Sequence, residues 1–124
     1  MCARSSASDE QRQVAYLYDM LESARMIVAY MDGLSREAFI ADSRTRDAVA
    51  LRLSIIGESA GHVSETTAAV LPTIPFRQIR GLRNRITHDY GQVDPGIVWE
   101  VARHDLAPLI AALARHLHGV LPPS

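Results

Sequence analysis

Val49-Ala50-Leu51-Arg52-Leu53-Ser54-Ile55-Ile56-Gly57-Glu58-Ser59-Ala60-Gly61-His62-Val63 admits two readings, and they lead to different folds. As a strand and turn, the alternating Val49–Ile55 run feeds Gly57-Glu58-Ser59-Ala60-Gly61, the pattern of a serine-hydrolase elbow. As a helix, Val49, Leu53, Ile56, Ala60 and Val63 form one apolar stripe at three- and four-residue steps. The stripe runs through both glycines without interruption. An elbow also needs a multi-stranded sheet, and no other segment supplies strands. The helical reading holds, from about Thr45 to Val63, and with it an all-α fold.

The flanking segments keep the same period. Val14, Leu17, Leu21, Ala24, Val28 and Met31 make the buried stripe of a long first helix that Gly33 ends. Ser35-Arg36-Glu37 caps a short second helix through about Ala41, and Asp42 or Ser43 caps the third. After the Leu71-Pro72-Thr73-Ile74-Pro75 loop, Ile79, Leu82 and Ile86 give the core face of a fourth helix, from Phe76 to about Tyr90, stopped by Gly91. Asp94-Pro95 starts the last helix, which carries Ile97, Val98, Val101, Leu109, Leu113 and Leu117. Pro108 bends it by freeing the carbonyl of His104. The expected architecture is an up-and-down four-helix bundle with an additional short helix.

The 124 residues suffice for one domain with a real core, expected over residues 9–120 behind a disordered leader, residues 1–8. A net charge of −1 excludes a general polyanion binder, so any nucleic-acid surface must be local or assembled from more than one chain. All 13 basic residues are arginine, which a compositional bias explains more simply than function. The single cysteine, Cys2, forms no internal disulfide, which fits a reducing, cytoplasmic setting. No apolar run reaches the length of a membrane span, and the first ten residues lack the core of a signal peptide.

Chemistry concentrates in Arg83-Asn84-Arg85-Ile86-Thr87-His88-Asp89-Tyr90, which joins a guanidinium, the only asparagine, an imidazole and a phenol. A cation to hold phosphate beside a group that titrates near neutrality is the minimum equipment for cutting RNA without a metal. On an ideal helix of about 100° per residue, Arg77, Arg80, Arg83, Asn84, Thr87 and His88 share one polar arc. Arg77 and Arg80 are therefore candidate phosphate contacts. Arg83 and His88 lie at opposite margins of the arc, about 140° apart. They converge only if the last turn unwinds before Gly91, or if a second chain packs this face against itself about a two-fold axis. The dimer is favoured, because it also pools arginines. From spacing alone this stretch reads more readily as a solvated helix face ending in a histidine that suits the helix dipole than as a catalytic site.

Arg83-Asn84-x-x-x-His88-x-Tyr90 resembles the signature of the HepT-like toxins, a branch of the HEPN superfamily of small α-helical ribonucleases. The likeness extends to Ile56-Gly57-Glu58-Ser59-Ala60, to Ile74-Pro75-Phe76 and to Val93-Asp94 with Val98-Trp99, covering about Leu17 to Leu117. It departs at Phe76, where the family often has tryptophan, and at Ser59, where alanine is common. The resemblance implies a metal-independent endoribonuclease with Arg83 and His88 as the catalytic pair and Asn84 orienting them. It implies a homodimer with the site at the interface, a nucleotidyltransferase antitoxin as partner, and Tyr90 as the position that antitoxin adenylylates. Some HEPN domains keep the fold and bind a nucleotidyltransferase or a nucleotide without cutting, which is the competing expectation.

Other polar residues are weaker candidates. Glu58 reads equally as a supporting partner of the site or as an ordinary polar residue of the third helix. His62 and His104 are expected on helix surfaces. His116 and His118, two apart, point to different sides of a helix, so they make no metal pair. No carboxylate pair or cysteine–histidine cluster has metal spacing, and no cofactor is expected. Trp99 is expected to anchor one helix to another.

Overall fold

A computed structural model describes residues 2–87 and 93–122, with side chains from residue 9 onward. The described residues form eight helices and no strand: α1 (Cys2–Met31), α2 (Arg36–Ala41), α3 (Ser43–His62), α4 (Glu65–Ala69), α5 (Phe76–Arg80), α6 (Leu82–Ile86), α7 (Pro95–His104) and α8 (Leu106–His116). The all-α fold is as the periodicity predicts, and it is consistent with the HEPN-like bundle that the resemblance implies. The helical path of α1 takes in the leader, residues 2–8, whose polar composition suggests a disordered tail.

Boundaries follow local chemistry. Gly33 ends α1 with a φ of 77°, a conformation that costs glycine least. The Ser35 hydroxyl accepts from Ala38 N at 3.1 Å, and the Asp42 carboxylate accepts from Thr45 N at 3.2 Å, so each starts its helix by satisfying an orphan donor. Asp94 Oδ1 accepts from Gly96 N and Ile97 N at 2.9 and 3.1 Å, with Pro95 as the first residue of α7.

The core lies between α1, α3 and α8, with α5, α6 and α7 closing its remaining side. Leu17, Met20, Ala24 and Ile27 of α1 meet Val49, Leu53, Ile56 and Ala60 of α3, all essentially inaccessible. At ~25 cal/mol per Å² of apolar surface removed from water, the valine, leucine, isoleucine and methionine side chains among them stabilise the fold by about 1.5–3 kcal/mol each. Phe39 of α2 and Trp99 of α7 pack at a ring separation of 5.6 Å, and Arg103 lies over the indole at 5.7 Å. Trp99 thus anchors α7 to α2.

Helix α3 continues unbroken across Gly57, Ser59 and Gly61, which disposes of the elbow reading. Gly57 has a packing reason. A Cβ there would lie 3.3 Å from the carbonyl oxygen of Ile79 and 3.8 Å from the Leu82 Cβ, so glycine lets α5 and α6 approach α3 closely.

Two expectations are corrected. The helix predicted from Phe76 to about Tyr90 is two short helices: it breaks at Gly81 (φ −88°, ψ 5°), and α6 ends at Ile86. Thr87 is extended (φ −99°, ψ 146°) and forms an isolated antiparallel bridge with Val93. The last helix is likewise split, at Asp105, three residues before Pro108, because proline clashes with the carbonyl four residues back. Helix α4, capped by Ser64, had no periodic signature in five residues. No described helix is long and apolar enough to cross a membrane.

Candidate functional site

The break at Gly81 and the early end of α6 set the geometry of the site. Arg83 and Asn84 sit in a single turn and a half of helix, both exposed, with Leu82 and Ile86 turned into the core. The Thr87 hydroxyl donates to the carbonyl of Arg83 at 2.8 Å, tying off the helix directly before His88. On the far side, Asp94 N donates to Ile86 O at 2.7 Å, next to the Thr87–Val93 bridge. The chain thus leaves α6 and returns to α7 at one cinched point. His88 and Tyr90 lie outside the described residues. Helix α6 ends at Ile86 and Thr87 is extended, so the continuous helix assumed for Arg83 and His88 stops before His88.

The four arginines of α5 and α6 divide in two. Arg80 Nε and Nη2 donate to the carbonyls of Ala60 and Val63 at 3.1 Å each, closing the C-terminal end of α3. Arg85 Nη1 pairs with Asp105 Oδ2 at 3.1 Å, strapping α6 to the α7–α8 junction. Arg77 and Arg83 are exposed and engage no other described side chain. Of the two candidate phosphate contacts, Arg77 is therefore available, whereas Arg80 is committed to the fold. Sequence spacing gave no sign of that commitment, since its acceptors are backbone carbonyls 17 and 20 residues away.

Glu58 is exposed on α3 and forms no hydrogen bond or ion pair with a described residue. His62 stacks on Tyr16 at 5.1 Å, and Gln13 bridges its carbonyl and the Ser64 amide, clamping α1 to the start of α4. His104 pairs with Glu100 at 3.1 Å on the exposed face of α7. No group of three or more histidine, cysteine or acidic side chains among the described residues is placed to hold a metal. Asp19 and Asp42, both away from the site, have shifted carboxyl groups. Burial, then the charge of Glu22, raises Asp19; the hydroxyl and backbone amide of Thr45 lower Asp42.

The model of the family described as ribonuclease HepT-like matches residues 20–116, which span α1 to α8. The chain belongs to the HepT-like ribonuclease family. It is 32% identical over 92 residues to the protein named "Putative RNase MJ1380" of Methanocaldococcus jannaschii, covering 74% of this chain and 84% of that one. It is 30% identical over 94 residues to "Probable ribonuclease HepT" of Thermococcus cleftensis, covering 76% and 86%. A second M. jannaschii relative, "Putative RNase MJ1216", is 33% identical over 92 residues, covering 74% and 76%. No solved structure matches the chain. The matched stretch includes Gly57, Gly81 and Asp94, which in this chain set the approach of α3, the break before α6 and the start of α7.

Proposed function

We propose that this HepT-like chain is a metal-independent endoribonuclease and the toxin of a toxin–antitoxin pair. The observation that carries the reading is the exposed Arg83 guanidinium, without a side-chain partner among the described residues, on a helix that ends two residues before His88. In the proposed reaction His88 removes the proton of a ribose 2′-hydroxyl, and the 2′-oxygen attacks the adjacent phosphorus. The bond from phosphorus to the 5′-oxygen breaks, and that oxygen takes up a proton. The products are a 2′,3′-cyclic phosphate and a 5′-hydroxyl. Arg83 stabilises charge growing on the phosphoryl oxygens, Asn84 orients the pair, and Arg77 holds a flanking phosphate. Two copies of the chain would bring two such faces together at an interface.

A nucleotidyltransferase antitoxin neutralises the activity in this reading. The Tyr90 oxygen attacks the α-phosphorus of ATP, pyrophosphate leaves, and the attached nucleotide phosphate places negative charge where RNA phosphate must bind. The setting is cytoplasmic. Purified protein is expected to cleave RNA in EDTA to cyclic-phosphate ends, and His88→Ala or Arg83→Ala to abolish cleavage with helical content intact. Cleavage only on addition of a divalent metal overturns the mechanism. Capture of the nucleotidyltransferase by a protein that never cleaves RNA favours a non-catalytic module instead.

A further inference from the structure

Where α2, α3 and α7 meet, the fold leaves a polar atom without a partner. Arg46, in the first turn of α3, is partly buried, and its Nε is fully enclosed with no hydrogen-bond partner. Native folds rarely leave a buried N–H unmatched, because its water is lost and nothing replaces it. Arg46 also lines a recess of about 320 Å³. Phe39, Ala50, Pro95 and Val98 supply an apolar wall, with Phe39 wholly inaccessible to solvent. The adjacent residue, Asp47, lines the same recess with an exposed carboxylate, and the two opposite charges form no ion pair with each other. Val93 closes one side and bridges to Thr87, so the recess abuts the cinched point from which the chain runs on to His88.

This chemistry selects a ligand class. A phosphate is poorly served, since the carboxylate offsets the guanidinium. A flat neutral ring is well served if one edge accepts from Arg46 and donates to Asp47. Guanine does both: O6 or N7 accepts from an arginine N–H, while N1–H and the 2-amino group donate to a carboxylate. Adenine presents an amino group where guanine has O6, and pyrimidines offer a shorter edge to the same wall. Single-stranded RNA is read in this way, by stacking on apolar side chains and hydrogen bonding to base edges.

We infer that the recess binds the guanine base of a nucleotide flanking the scissile linkage, making Arg46 and Asp47 its specificity-determining residues. The position of that base on RNA rests on the ribonuclease reading; the recess itself does not. Calorimetric titration of the full chain with GMP, IMP, AMP, CMP and UMP tests it. GMP is expected to bind about tenfold more tightly than AMP, as a bidentate base contact does, with IMP between them for want of the 2-amino group. Asp47→Asn, at an exposed position, is expected to erase the preference. Arg46→Met, which keeps the aliphatic stem, is expected to weaken GMP with unchanged circular dichroism. Equal binding of the nucleotides, no GMP binding at millimolar concentration, or a preference that survives both substitutions overturns the inference. Sequencing the ends of RNA cleaved in EDTA separates the two readings. Cleavage without clustering at guanosine overturns the placement of the bound base beside the scissile linkage and leaves the ribonuclease; a guanine preference in a protein that never cleaves overturns the ribonuclease and leaves the recess.

Discussion

Replacing Arg80 and Arg77 separately by methionine tests the division of labour among the arginines. Both lie in α5, one turn apart, and a surface-charge argument treats them alike. The structure does not. Arg80 makes two hydrogen bonds of 3.1 Å to the carbonyls of Ala60 and Val63, the groups left unpaired where α3 ends. A hydrogen bond to a charged group contributes about 1.5–3 kcal/mol when buried. These two share one cation and are only partly buried, so a combined value of about 2 kcal/mol is reasonable. For a domain of this size that corresponds to a fall in Tm of roughly 6–10 °C. Arg80→Met is therefore expected to lower the urea midpoint and Tm while leaving RNA affinity of the folded protein nearly unchanged. Arg77→Met is expected to leave Tm within about 1–2 °C, since exposed substitutions usually cost under about 0.5 kcal/mol. It should instead reduce the slope of log affinity against log salt by about 0.7, the loss of one phosphate contact on a single strand. Thermal melts and fluorescence anisotropy over a salt series measure both. If Arg80→Met melts like the parent and loses affinity as Arg77→Met does, the capping assignment is wrong.

Gly57→Val is expected to destabilise by about 1–3 kcal/mol in urea unfolding, because its side chain meets the Ile79 carbonyl, a backbone atom with little room to yield. Asp94→Ala removes the acceptor for Gly96 N and Ile97 N and should cost about 1–2 kcal/mol, read by chemical denaturation. Asp42, whose folded pKa is lowered by Thr45, contributes stability above its unfolded pKa that is lost as pH falls through the lower folded value. Asp42→Asn should therefore flatten the acid arm of the stability–pH curve. Asp19 has the opposite sign: burial and Glu22 raise its pKa, so its ionised form opposes folding at neutral pH and the penalty vanishes in acid. Asp19→Asn is accordingly expected to raise the Tm at pH 7 and to lose that advantage as pH falls below the unfolded carboxylate range.

Much of this molecule is written in short-range chemistry. Ser35, Asp42 and Asp94 cap the helices their positions suggest, because a side-chain oxygen before a periodic apolar run has an orphan N–H within reach whatever the rest of the chain does. Gly33 stops α1, and the α3 stripe carries the core. The residues of the candidate site were legible as a motif for the same reason, being neighbours in sequence.

Glycine shows where such reasoning ends. Gly57 and Gly61 stay inside α3, whereas Gly81 splits a helix that periodicity drew as continuous. Nothing local separates the three. Gly57 is held straight where α3 packs against α5 and α6, while Gly81 marks the change of direction that carries Ile79 and Leu82 onto the same core. The stripe and the caps, being local, determined an all-α bundle and its Arg83–His88 motif from the amino-acid order alone. Only packing over long separations decided that α6 stops at Ile86, that Arg80 serves α3 rather than the surface, and that Arg46 lines a recess with residues of α2 and α7. Those outcomes depend on which backbone and side chains arrive from elsewhere, and no window of sequence contains them.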